Sequence, residues 1–99
     1  MFSITVKDDG EIVLSGRLDA SQVEIADTVF DRVSATTRVN FSGLDYISSA
    51  GLGILLKTQK RLGQSGHFLI LSNMNKLVRD VFRIARFDLV FRIEETPQG

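Results

Sequence analysis

The chain of 99 residues predicts one small α/β domain, in the order ββαβαβαβ, with a mixed and mostly parallel sheet and helices packed on it. Three observations carry that prediction. Phe2, Ile4 and Val6 alternate with Ser3 and Thr5, which is the period of a half-buried strand. The turn signal Asp8-Asp9-Gly10 then leads into a second apolar run, Ile12-Val13-Leu14, so the two strands make a hairpin. Beyond it, stretches of helical spacing alternate with short apolar runs, as in parallel βαβ crossovers.

The first strand is read at 2–6 and the second at about 11–16. Gly16-Arg17-Leu18-Asp19 breaks the pattern, and Ser21 with Glu24 has the spacing of a capping box. Val23, Ala26, Phe30 and Val33 follow on one face, which predicts a helix over 21–34. The β-branched Thr36, Thr37 and Val39 open a third strand that ends at Phe41. Ser42 to Ser49 is expected to be a loop, with Asp45 in a turn. A second helix is predicted from about Ala50 to Leu62, with Leu52, Leu55, Leu56 and Leu62 inward and Gly63 and Gly66 closing it. Phe68 to Leu71 is a continuous apolar run, expected of a strand buried on both faces. Asn73 is the expected start of a third helix, with Leu77, Val78, Val81 and Phe82 inward and Arg83 and Arg86 near its C-terminal dipole. Leu89 to Ile93 is a last short strand. The domain is expected to cover 1–95, and 96–99 to be a loose tail.

Composition narrows the function. Apolar residues make up 43% and charged residues 24%, an ordinary globular mixture. Twelve cations balance twelve carboxylates, so no long-range field draws the chain to nucleic acid or an anionic membrane. A protein or a small molecule is the expected partner. The absence of cysteine excludes disulfides, thiol chemistry and cysteine zinc sites, and it suits a reducing cytoplasm. The N-terminus lacks the basic region and apolar run of a signal peptide. No stretch nears the roughly 18 apolar residues of a membrane span. The expectation is a soluble cytoplasmic protein.

Catalytic groups are scarce where ligands usually sit, at the carboxyl ends of the strands. His67, the one histidine, precedes a strand at the opposite end and reads as a turn residue. No cluster has metal-ligand spacing, and no serine stands in a nucleophile elbow. Gly51-Leu52-Gly53 matches only a fragment of a dinucleotide fingerprint. Asp19 and Asp45 are usual loop aspartates rather than a catalytic pair. No catalytic residue, cofactor or metal is expected, and the chain reads as a non-enzyme.

One segment stands out: Ile47-Ser48-Ser49-Ala50-Gly51-Leu52-Gly53-Ile54-Leu55-Leu56. Two glycines in a first helical turn cost about 1 kcal/mol each relative to alanine. They leave a small, flat surface that another backbone can approach. Capping by the preceding serines, with tight helix–sheet packing, also accounts for them. The segment resembles the signature of the STAS domain, the family of bacterial anti-sigma factor antagonists. Gly16-Arg17-Leu18-Asp19-Ala20 resembles that family's stretch before its first helix, and Val39 to Leu44 its third strand and turn. Leu69-Ile70-Leu71, the basic helix and Phe87 to Phe91 resemble its C-terminal third.

The resemblance implies a partner-switching phosphoprotein that regulates transcription. Unphosphorylated, it binds an anti-sigma factor that is also a serine kinase. Phosphorylation releases it, and a serine phosphatase resets the cycle. The phosphoacceptor falls on Ser49. Ser48 stands where the family often has aspartate, and it is a possible second acceptor. The implied partner surface comprises Asp19, Ser48, Ala50, Gly51, Leu52 and Gly53. ATP belongs to the kinase, so no cofactor is implied here. A non-switching STAS scaffold of a stress-sensing complex, or a cytoplasmic transporter subunit, fits the same residues. An enzyme or nucleotide-binding protein on a flavodoxin-like sheet is a third reading.

Overall fold

In a computed structural model, residues 1–94 are described. The alternation at the N-terminus forms β1 (Ser3–Val6), and the run after the Asp8-Asp9-Gly10 turn forms β2 (Ile12–Leu18). They pair antiparallel, Ile4 opposite Leu14. Three crossovers follow: α1 (Val23–Phe30) leads to β3 (Thr37–Ile47), α2 (Ser49–Gly63) to β4 (Leu69–Ser72), and α3 (Lys76–Ile84) to β5 (Arg92–Ile93). The last three pairings are parallel, and the sheet runs β1-β2-β3-β4-β5.

That monotonic order decides the layering. Right-handed crossovers that always step in one direction put every helix on the same face. The covered face carries Ile12, Leu14, Leu18, Val39, Phe41, Leu69 and Leu71, all buried with Leu55 and Phe82 from the helices. The other face has no helix over it. Val13 and Ile70 are half-exposed there, among the pairs Arg38–Glu94, Asn40–Glu11 and Arg92 stacked on Phe68. β4 is therefore buried on one face only, with Phe68 and Ile70 half-exposed, which corrects the expectation of a strand buried on both.

Four local expectations also change. β3 runs on through the segment read as a loop. Its register against β2 slips by one residue after Val13 and again after Gly16, so the inward residues are Val39, Phe41, Leu44 and Ile47. Ser21 and Glu24 form no capping box. The Ser21 hydroxyl and N–H both donate to the Asp19 carboxylate (2.7 and 3.1 Å), so Asp19 caps a 3-10 turn at Ala20–Gln22 and α1 starts only at Val23. At its other end α1 stops at Phe30, where the Arg61 guanidinium donates to the carbonyls of Phe30 and Val33 (2.9 and 2.8 Å). Lys57 adds ion pairs to Asp27 (2.6 Å) and Asp31 (3.8 Å), tying α1 to α2.

Asn73 is left-handed (φ 60°) and does not start α3. Asn75 does, with its side-chain oxygen accepting from the Val78 N–H at 2.8 Å, and that start buries Val78 and Phe82 but leaves Leu77, expected inward, exposed. Residues 87–89 form a 3-10 turn, which leaves only Arg92–Ile93 as strand. The glycine closure of α2 holds: Gly66 (φ 78°) lets the His67 N–H reach the Leu62 carbonyl, the six-to-one bond of a Schellman motif. The expected tail at 96–99 lies outside the described residues.

Candidate functional site

The carboxyl ends of β2 and β3 are paired at Leu18 and Ile47, and a hydrogen bond from the Ser48 N–H to the Leu18 carbonyl (2.9 Å) carries the pairing to the start of α2. This sets the Asp19 turn beside the start of α2. Ser48 is the N-cap, extended at φ −90° and ψ 172°, and its hydroxyl oxygen accepts from the Gly51 N–H at 3.3 Å. Its carbonyl takes the first helical bond, from Leu52. Ser49 is the first helical residue and is exposed. The two adjacent serines thus divide the work, one satisfying the helix end and the next offering a hydroxyl to solvent.

Behind Ser49 the two glycines part company. Gly51 is buried, and a Cβ there would lie 2.8 Å from Ile47 Cγ1 and 2.9 Å from Leu18 Cγ. Leu52 is buried as well, so neither faces a partner, contrary to the sequence expectation. Gly51 is needed for the fit of helix to sheet. Gly53 is exposed and a Cβ there would meet nothing. Ala50 is half-buried. The exposed side of α2 carries Ser49, Gly53 and Lys60, at helical spacing, with Leu56, expected inward, half-exposed on the same line, and the part nearest Ser49 is flat.

Asp19 is half-buried, and the Ser21 hydroxyl bonded to it holds its carboxyl below the usual carboxylate range, with further help from the Ser21 N–H and the Arg17 charge. It is ionised throughout the physiological range. Asp45 is not its companion: it is the extra residue of the second slip in β3, exposed. Two residues to which the sequence reading assigned no role stand close by. The Arg17 guanidinium lies over the Tyr46 ring, 4.3 Å from its centre, on paired positions of β2 and β3. Nothing local in the sequence brings them together, because their pairing depends on both slips. His67 is remote from the site, its Nδ1 3.3 Å from the Thr36 hydroxyl.

Strand order never reverses, so there is no topological switch point of the kind that holds ligands in open α/β sheets. Surface hollows lie elsewhere: about 460 Å³ beside Lys76, Arg79 and Arg83, and about 400 Å³ beside Val6, Val29 and Val33. Among the described residues no three His, Asp or Glu are grouped to hold a metal ion, and no helix is long and apolar enough to cross a membrane.

Residues 4–92 match the family model described as "Mlab, STAS domain". The chain belongs to the STAS-domain family. It is 34% identical over 88 residues to BtrV of Bordetella bronchiseptica, assigned as an anti-sigma factor antagonist, covering 89% of this chain and 75% of that protein. The fold of this STAS domain is that of solved antagonists. An anti-sigma factor antagonist from Mycobacterium paratuberculosis superposes with TM-score 0.82 at 22% identity, over 97% of this chain and 87% of that one. Unphosphorylated SpoIIAA superposes with 0.72 at 24% identity, over 99% and 90%. The phosphorylated Bacillus SpoIIAA gives 0.69 at 22% identity, over 99% and 93%.

Two stability predictions follow from the helix start of this STAS domain. Ser48→Ala removes the cap and is expected to cost about 0.5–2 kcal/mol, read by urea unfolding, while Ser48→Asp keeps it. The glycines should answer alanine with opposite signs. Gly53→Ala gains about 1 kcal/mol of helix propensity in open space. Gly51→Ala forces Leu18 and Ile47 apart, at about 1–3 kcal/mol, and should be destabilising on balance. Equal effects would place the helix differently on the sheet.

Proposed function

We propose that this STAS domain is an anti-sigma factor antagonist switched at Ser49. Unphosphorylated, it binds an anti-sigma factor that is a serine kinase and so frees a sigma factor. Phosphorylation of Ser49 ends the complex, and a serine phosphatase restores it. The observation that carries this reading is the exposed Ser49 hydroxyl on the first residue of α2, with Ser48 already engaged as the cap. Asp19, Ser48, Ala50 and Gly53 form the contact surface around it, and Gly51 and Leu52 support that surface from beneath.

The physics suits a switch that leaves the fold alone. A phosphate brings about −1.5 to −2 charges at neutral pH. At a helix N-terminus that charge is favourable by roughly 0.3–1 kcal/mol. The cost falls instead on the partner surface brought against it. The likeness of this fold to SpoIIAA in both its unphosphorylated and phosphorylated forms supports a fold that tolerates the modification.

The test is intact-mass measurement with site mapping, after incubation with the candidate kinase and ATP. One phosphoryl group on Ser49 is expected. Phosphorylation on Ser48, which would strip α2 of its cap, or on neither serine, overturns the proposal.

A further inference from the structure

Because the strands follow one another across the sheet in chain order, position along the chain becomes position across the domain. Charge is uneven along the chain. Residues 1–34, from β1 to the end of α1, hold three cations and seven carboxylates, and residues 73–94, from α3 to β5, hold five cations and three carboxylates, so within a net charge of zero the first side carries −4 and the second +2. The β1–α1 side is acidic and the α3–β5 side basic.

Exposed large apolar side chains fall on the same two sides. Met1, Val6 and Ile25 lie with β1 and α1, and Leu77, Ile84, Leu89 and Val90 with α3 and the turn after it. Leu77 and Ile84 are two helical turns apart, so they share one line, beside the parallel line of Lys76 and Arg83. Some charge is used internally: Asp80 pairs with Lys76 (3.2 Å) and Arg83 (2.9 Å), and Asp27 with Lys57. Arg86 on one side, and Asp8 and Glu24 on the other, take part in no ion pair among the described residues. β1 and β5 are the two edge strands, each with one row of backbone groups unpaired.

We propose that the basic, apolar α3 edge of one copy docks on the acidic, apolar β1–α1 edge of a second copy, head to tail. Both halves of the complementarity, apolar and ionic, are present on the one chain, whereas an anionic bilayer or an acidic protein would use only the basic half. A net charge of zero removes the repulsion that keeps copies apart. The contact is heterologous, so it need not close and can add further copies. Ser49 lies at the strand ends, on neither edge, so the docking stands independently of the switch.

Sedimentation velocity over a range of protein concentrations tests it, in about 0.1 M and about 1 M salt, where the screening length falls from about 10 to about 3 Å. The average mass is expected to climb above the 11.0 kDa monomer at low salt and to fall back at high salt. Arg83→Glu with Arg86→Glu, and separately Asp8→Lys with Glu24→Lys, should each stay monomeric, and an equimolar mixture of the two should associate. Ile84→Ser, at an exposed position, should weaken assembly with an unchanged circular dichroism spectrum. A monomer under all conditions, self-association indifferent to the swaps, or binding of the α3 edge to anionic vesicles without self-association overturns the proposal.

Discussion

Ser49→Asp is expected to fold like the parent and to lose more than tenfold in affinity for the anti-sigma factor, whereas Ser49→Ala should bind and no longer be released by ATP. Two unit charges 4 Å apart interact by about 4 kcal/mol at an effective dielectric of 20. Half of that, set against an acidic or desolvated partner surface, already exceeds the 1.4 kcal/mol that makes a tenfold change. The domain itself should hardly notice, since a carboxylate at the first position of α2 suits the helix dipole. Calorimetric titration of both variants, with thermal unfolding beside it, separates the two effects. An aspartate variant that binds as tightly as the parent would sink the electrostatic switch, and one that unfolds early would move the penalty into the fold.

Phe82→Ala should bring the largest loss of stability. Phe82 is fully buried at the centre of an aromatic group, its ring 6.0 Å from Phe41, 6.3 Å from Phe87 and 5.9 Å from Phe91, edge to face with each. Removing such a ring costs about 3–5 kcal/mol, transfer and cavity together. Small domains hold about 5–15 kcal/mol in all. The melting point should therefore fall by on the order of 20 °C. Phe82 joins α3 to both β3 and the 3-10 turn, so the segment from α3 to β5 should lose hydrogen-exchange protection first. A loss below about 1 kcal/mol would mean that the aromatic group repacks around the void.

Element order was legible because each crossover carries a clear change of period. Extents were less so, for reasons that differ from place to place. β3 escaped reading beyond Phe41 because its two slips turn a period of two into steps of two, three and three, from Val39 to Phe41, Leu44 and Ile47. The capping box failed because Asp19, two residues upstream, is the stronger acceptor for Ser21. Asn73 and Asn75 are equally good caps on paper, and the left-handed backbone at Asn73 decides between them. At the site, the exposure of Ser49 follows from its place just after the cap Ser48. The unequal roles of Gly51 and Gly53 depend on which side of α2 meets Leu18 and Ile47, a matter of docking rather than of sequence.

Helix α2 is fastened at both extremities, by the Ser48 N–H on β2 and by Arg61 on the end of α1. It behaves as a braced strut, and on its inner side Leu55 and Thr58 are sealed from water. A hydroxyl mounted on such a strut has little freedom to seek its enzyme. On the proposed switch, the mutual adjustment that recognition requires falls to the kinase, so encounter rates should be governed by the mobility of that protein's own loops.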